Sequence, residues 1–167
     1  MTSWMIHHLT FLATVGAGIM AGVYFAFSGF VMRALDQLDA QSAADAMNSI
    51  NKIILKSRFM PLFFGSSLIY LVLLVVAVLD SSIEERWILI AASTFYLVGM
   101  FLCTVFFNVP LNNRLADTSG DLELKKTTWN QYVIEWTRWN HLRTGCSLAS
   151  MILGVCFLVV YGNKLLI

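Results

Sequence analysis

The stretch LTFLATVGAGIMAGVYFAFSGFVM, residues 9–32, runs for 24 residues without a charged side chain. A helix rises about 1.5 Å per residue, so about 20 apolar residues are enough to cross the hydrocarbon core of a bilayer. Three later stretches meet the same requirement, residues 59–79, 87–107 and 144–161. The pattern predicts an all-α fold, a four-transmembrane-helix bundle made of two helix hairpins, in a single membrane domain over residues 1–167.

The composition supports this membrane class and argues against several others. Of the 167 residues, 58% are hydrophobic and only 13% are charged, whereas soluble domains carry about a quarter charged residues. The net charge is +1 and no basic run is present, so no nucleic acid partner is expected. The three cysteines form no C-x-x-C pair, and no set of His, Asp and Glu has metal-ligand spacing, so no metal site is predicted.

The basic residues predict an orientation in the membrane. The two long loops, residues 33–58 and 108–143, hold nine Lys and Arg, whereas the other side holds only Arg86 and Lys164. Under the positive-inside rule both loops face the cytoplasm and both termini lie outside. We therefore expect an integral protein of the plasma membrane, with the lipid bilayer as its first partner. Residues 1–8 contain no Lys or Arg, so the first span is interpreted as a retained helix rather than a signal peptide.

Both long cytoplasmic loops are expected to contain amphipathic helices. In the first loop an apolar stripe recurs at helical spacing, at Ala43, Met47, Ile50 and Ile54. Ser42, with Asp45 three residues later, resembles a capping box, which predicts that this helix begins near Ser42. In the second loop, Pro110 should end or kink the third span.

The second loop also carries most of the polar and aromatic side chains that could form a site. Asn108 and Asn112 lie where the third span leaves the bilayer, and an amide at that depth needs hydrogen-bond partners or water. On a helix, one face of residues 129–143 presents Trp129, Val133, Trp136, Asn140 and Arg143. If that helix runs on into the fourth span, Asn140 and Arg143 point into the cytoplasmic mouth of the bundle.

Two strings in this half, NVPLNNRLA (residues 108–116) and WTRWNHLRT (residues 136–144), resemble the signature of the DUF1772, or anthrone-oxygenase-like, membrane family. The strings YFAFSGFVMRAL (residues 24–35) and SINKIILKSRFM (residues 49–60) also fit the first half of that family. The resemblance implies oxidation of an anthrone to an anthraquinone by molecular oxygen, without a metal, a flavin or another cofactor.

Such a reaction needs an apolar slot for a flat polycycle, a base for its acidic C–H, and donors for the enolate oxygen. We hypothesise that aromatic side chains form the slot, that the imidazole of His141 is the base, and that amides and a guanidinium are the donors. The predicted catalytic residues are His141, Asn140 and Arg143. The predicted substrate-binding residues are Asn108, Asn112, Tyr132, Trp136 and Trp139.

Other interpretations stay open at this point. Tryptophans near an interface are often membrane anchors, and Arg143 can simply extend toward the headgroups. A non-catalytic membrane binding or scaffold protein is a close alternative. A transporter is less favoured because no span holds an acidic residue.

A haem-binding subunit is also less favoured. His7 and His8 are expected about 30 Å across the membrane from His141, so one haem cannot bridge them. Ligation by a single histidine, or by His7 and His8 of two protomers, stays open. The sequence does not determine whether the chain forms a homo-oligomer, or whether the cavity opens to lipid or to the cytoplasm.

Overall fold

The computed structural model describes residues 2–118 and 122–165. These residues contain no strand and group into five continuous helices: α1 (Ser3–Leu35), α2 (Ala40–Ile54), α3 (Phe59–Leu79), α4 (Arg86–Ala116) and α5 (Leu122–Leu165). Four of the five, all except α2, are long and apolar enough to cross a membrane. The predicted all-α bundle of four transmembrane helices is therefore confirmed, and the chain is an integral membrane protein. Lys164, used above to predict the orientation, lies outside the described side chains.

The helices extend well beyond the uncharged stretches. The helix α1 begins at Ser3, where the hydroxyl oxygen of Thr2 accepts a hydrogen bond from the Met5 N–H at 3.4 Å. The helix α5 is a single element of 44 residues that contains both the predicted amphipathic helix of the second loop and the fourth span. Lys, Glu, Gln and Arg are good helix formers, so the charged residues before the span prolong the helix rather than end it.

The helix α4 does not end at Pro110, one of the two outcomes that the sequence allowed, but continues to Ala116. Its backbone takes wider, π-helical turns over Phe95–Leu102 and Thr104–Asn108. Pro110 lies inside this continuous helix, two residues after the π-helical turns end. Proline cannot donate the backbone hydrogen bond of a regular α-helix, and π-helical turns are a common irregularity where that pattern is interrupted.

The short helix α2 begins at Ala40, so the predicted capping box of Ser42 and Asp45 is wrong. Its N-cap is Asp39, whose carboxylate accepts a hydrogen bond from the Ser42 N–H at 3.0 Å. Asp is among the preferred N-cap residues, because its side-chain oxygen accepts a hydrogen bond from a backbone N–H in the first turn. The hydrogen bonds from Ser42 hold the pKa of Asp39 below its usual value. The predicted apolar stripe faces the bundle, with Ala43 and Met47 fully buried.

Three apolar clusters are stacked along the bundle. At the end farther from α2 lie Ile6, Ala77, Ile83, Leu89 and Phe157. The middle cluster includes Ala17, Met20, Tyr70, Leu73 and Tyr96. The cluster beneath α2 includes Met32, Met47, Leu115, Trp129, Tyr132 and Trp136. We refer to this last region as the α2 end of the bundle.

The helices α3 and α4 separate toward the α2 end. Phe101 of α4 stacks against Phe63 of α3, with ring centroids 5.3 Å apart, and meets Phe64 edge-on at 6.3 Å. Beyond Phe101, α3 makes no extensive contact with residues 104–116 in the described part of the chain. The separation leaves a space beneath α2 that the apolar clusters do not fill.

Candidate functional site

A cavity of about 360 Å³ occupies this space at the α2 end, and all five helices contribute to its wall. Its apolar lining includes Val23, Phe27, Met47, Ile50, Phe59 and Phe63. Its polar lining is made by Tyr24, Asn48, Asn51, Lys52, Thr104, Asn112, Asn113, Trp136 and Arg143. A mostly apolar hollow with a few convergent polar groups is the usual form of a small-molecule site.

Arg143 is the central charge of this cavity, although only 4% of its surface is exposed. Its guanidinium carbon lies 4.3 Å from the ring centre of Tyr24 and 5.1 Å from that of Trp136. Its terminal nitrogens donate to the Asn140 side-chain oxygen at 2.6 Å and to the Thr104 hydroxyl at 3.4 Å. None of its hydrogen bonds reaches a carboxylate within the described residues, so the charge is held by rings and neutral oxygens alone.

Asn140 holds Arg143 in place and ties α5 to α1. It is completely buried. Its side-chain nitrogen donates to the Tyr24 carbonyl oxygen at 2.6 Å and to the Ser28 hydroxyl. Because both of its polar atoms are engaged by the protein, Asn140 acts as a positioning residue rather than as a free donor to a ligand.

Four of the lining residues carry a buried polar atom that has no hydrogen-bond partner among the described residues. Three of these atoms are donors, the side-chain N–H groups of Asn51, Trp136 and Arg143 (its Nε), and one is an acceptor, the side-chain oxygen of Asn48. Buried polar groups are nearly always satisfied, so each exception needs an explanation. Four such atoms around one cavity are groups that water or the polar atoms of a ligand can engage.

Aromatic stacking supports the wall of the cavity from behind. Tyr132 stacks between Trp129 and Trp136, with ring centroids 5.8 and 6.0 Å away. The Tyr132 hydroxyl donates to the side-chain oxygen of Asn112 at 2.8 Å. Asn108, almost fully buried, donates to the Trp136 carbonyl oxygen at 3.3 Å. Tyr132 and Asn108 therefore hold lining residues in place without lining the cavity themselves.

Two of the predicted site residues lie elsewhere. Trp139 stacks on Phe107, with ring centroids 3.8 Å apart and an angle of 10° between the rings. His141 is exposed and lines a separate groove between α1 and α5. Successive helical residues are turned by about 100°, so His141 and Arg143, two positions apart, lie on nearly opposite faces of α5. The structure brings Asn112, Trp136 and Arg143 together at the cavity but not His141 or Trp139.

Six polar lining residues were not among the predicted site residues: Tyr24, Asn48, Asn51, Lys52, Thr104 and Asn113. Asn48 and Asn51 lie three positions apart beside the apolar stripe of α2, and this spacing could have been read as a polar edge facing the bundle. Tyr24 and Thr104 gave no such signal, because single hydroxyls in apolar spans are common. The described residues contain no group of three His, Cys, Asp or Glu side chains that could hold a metal ion.

Comparison with protein families gives a match over more than half of the chain. The family model described as anthrone oxygenase matches residues 47–153, which begin within α2 and end within α5. The matched region contains Asn112, Trp136 and Arg143, the three predicted residues that line the cavity. No curated protein and no solved structure matches the chain.

Proposed function

The chain belongs to the anthrone oxygenase family, and on that premise we propose that its cavity binds a flat aromatic ketone as the enolate and exposes it to molecular oxygen. The observation that carries the proposal is the pair formed by Arg143 and Trp136. Both are almost fully buried, both line one cavity, and each has an N–H group without a partner.

The size and walls of the cavity suit a fused-ring compound. Its volume of about 360 Å³ lies at the lower end of the range for ligand pockets, about 300–1,000 Å³. Phe27, Phe59 and Phe63 contribute aromatic rings to the wall, and Phe27 packs against Trp136 with ring centroids 5.7 Å apart. Flat aromatic surfaces of this kind favour a planar ligand over a flexible chain.

The charge distribution favours the conjugate base of the ligand. The lining among the described residues contains no carboxylate and no imidazole, whereas Arg143 supplies a fixed positive charge in a region of low dielectric constant. Preorganised donors in such a site stabilise a developing oxyanion strongly. We infer that the enolate forms because the site stabilises the anion, and that the C–H proton passes to water at the mouth of the cavity, beside Lys52.

The reaction with oxygen then balances without a further reactant. The enolate gives one electron to O2, and the resulting radical and superoxide combine to form a C–O bond. The peroxide keeps one oxygen as a new carbonyl and releases the other as water when the O–O bond and the remaining C–H bond break. One ketone and one O2 thus yield one quinone and one water.

The shape of the cavity favours a substrate that is dissolved in the membrane. Phe64 of α3 and Val105 and Val109 of α4 line the cavity, and their surfaces are 55%, 40% and 42% exposed. These side chains stand where the two helices separate, on a face that a four-span bundle presents to lipid. An apolar compound can therefore reach the cavity from the bilayer.

The proposal is tested with the purified protein in detergent and anthrone as the probe. Oxygen uptake and the absorbance of the quinone are recorded for the wild type and for Trp136→Phe, which keeps a ring and removes the free N–H. Removing one oxyanion donor lowers rates by about 100-fold in well-studied enzymes, so we expect a loss of tenfold or more. Trp139→Phe is the matched control, because it removes an indole N–H outside the cavity, and its rate should stay at the wild-type level.

Two further variants separate this proposal from its alternatives. Arg143→Gln should reduce the rate at least as much as Trp136→Phe, whereas His141→Ala should leave the rate unchanged. A large loss in His141→Ala with a silent Trp136→Phe would transfer the chemistry to the other groove and refute the proposal. Binding of anthrone without oxygen uptake would identify a binding protein instead of an oxygenase.

A further inference from the structure

The groove that contains His141 plays no part in the proposed reaction, and we propose that it binds the phosphate of an anionic phospholipid. The groove has a volume of about 390 Å³ and lies between the end of α1 and residues 133–141 of α5. It is on the other side of α5 from the cavity. The inference stands on its own residues and does not depend on the proposed function.

Two guanidinium groups from different helices border this groove. Arg33 comes from α1 and Arg138 from α5, and His141 lies beside them. Neither arginine forms an ion pair within the described residues. The acidic residue of the lining, Asp36, accepts a hydrogen bond from the Trp129 indole N–H at 3.1 Å, so one of its oxygens is directed into the bundle. Arginines pair with phosphate oxygens by two parallel hydrogen bonds, which makes this arrangement suited to a phosphate group.

A buried hydroxyl in the same groove also lacks a partner. Threonines within helices usually donate to the carbonyl oxygen four residues earlier, and Thr10, Thr14 and Thr144 of this chain all do so, at 2.7–2.9 Å. The hydroxyl of Thr137, which lines the groove, is buried and makes no hydrogen bond among the described residues. A phosphate or ester oxygen seated between the two arginines would satisfy it.

The surroundings of the groove favour a lipid over a free anion. Val133 and Ile134 also line it, and Ile134 is 72% exposed although it is fully apolar. These side chains offer a surface for acyl chains directly beside the basic groups. The positive-inside rule places this end of the bundle in the cytoplasmic leaflet, where anionic lipids are concentrated.

The test measures lipid retention by native mass spectrometry of the detergent-purified chain. Equal amounts of phosphatidylglycerol and phosphatidylcholine are added, and we expect the wild type to retain one phosphatidylglycerol in preference. A basic residue near a membrane surface changes anionic lipid binding by about fivefold. The double variant Arg33→Gln/Arg138→Gln should therefore bind phosphatidylglycerol about 25-fold more weakly.

The matched control is Lys56→Gln/Arg58→Gln. It removes the same charge from exposed residues at the same end of the bundle but outside the groove, and it should retain the lipid. Thr137→Val gives a second variant with unchanged charge, and we expect a weaker but measurable loss of retention. Thermal unfolding of each variant in phosphatidylcholine alone shows whether the fold is intact.

Three results would overturn the proposal. The first is equal retention of phosphatidylglycerol and phosphatidylcholine by the wild type. The second is an equal loss in the groove variant and the control variant, which would mean attraction to charge in general. The third is a rise in the thermal unfolding temperature with soluble glycerol phosphate that equals the rise with phosphatidylglycerol. That result would identify a free phosphate ester as the ligand.

Discussion

Replacing Asn140 by alanine gives the sharpest test of how the site is built. This side chain joins α5 to α1 through the Tyr24 carbonyl oxygen and the Ser28 hydroxyl, and it accepts a hydrogen bond from Arg143 at 2.6 Å. All three interactions lie at a position with no solvent exposure. Alanine removes them together and leaves a buried cation with one fewer acceptor.

The magnitude follows from these three hydrogen bonds. A neutral hydrogen bond contributes about 1 kcal/mol and a charged one about 1.5–3 kcal/mol, which would sum to about 3–5 kcal/mol. Hydrogen bonds between membrane helices average only about 0.6 kcal/mol, which lowers the sum to about 2 kcal/mol. We therefore expect Asn140→Ala to reduce the free energy of unfolding by about 2–5 kcal/mol. A chain of this size loses about 2–4 °C in Tm per kcal/mol, so Tm should fall by about 4–20 °C.

The assay is thermal unfolding in one detergent, followed by scanning fluorimetry. Asn113→Ala is the matched control, because Asn113 is an exposed amide on α4 near the same cavity, and its Tm should stay within about 2 °C of the wild type. If Asn140→Ala unfolds at the wild-type temperature, the hydrogen bonds between α1 and α5 do not form as described. The position of Arg143 in the cavity would then lose its support.

Three further predictions concern the wall, the packing and the cap of α2. Tyr132→Phe removes the 2.8 Å hydrogen bond to Asn112. In the same fluorimetry assay it should reduce the free energy of unfolding by about 1 kcal/mol. An unchanged free energy of unfolding would mean that this hydrogen bond is not formed. Gly99→Ala places a Cβ in collision with the Cys146 side chain, so it should destabilise the bundle by about 1–3 kcal/mol. Adding Cys146→Ala should restore only part of the loss, because the Cβ at position 146 still lies 2.6 Å from the new Cβ. Asp39 has a pKa below its usual value because its carboxylate accepts hydrogen bonds at the N-terminus of α2. The charged N-cap is therefore present at neutral pH. Its contribution to stability is lost as the pH falls through that lowered pKa. Hydrogen exchange in the first turn of α2 should show this loss in the wild type but not in Asp39→Asn, and a pH response shared by both proteins would contradict the assignment.

Several features of the site followed from local sequence patterns. The helical spacing of Trp136, Asn140 and Arg143 predicted one shared face of α5, and Trp136 and Arg143 do line one cavity, with Asn140 behind them. The apolar stripe of α2 likewise predicted a helix packed on the bundle. In each case the pattern lies within one helix, and a helix has a fixed number of residues per turn.

Other features depended on contacts between distant parts of the chain. Tyr24 and Arg143 lie far apart in the sequence, yet the guanidinium carbon is 4.3 Å from the tyrosine ring centre. Sequence analysis grouped His141 with Arg143 because both follow the third span. The helical turn already places these two residues on nearly opposite faces of α5. Only the structure shows that α1 packs between those faces and leaves a separate hollow beside each of them.

The sequence by itself determined that this chain forms four membrane-spanning helices. Each apolar segment is long enough to cross the hydrocarbon core, and a helix satisfies its backbone hydrogen bonds within the segment where no water is present. Only the tertiary structure decided where the cavity lies and which side chains face it. The rotation and tilt of each helix are set by packing against its neighbours. The close approach of Gly99 to Cys146 brings α4 against α5, and the separation of α3 from α4 beyond Phe101 leaves the space that Arg143 lines.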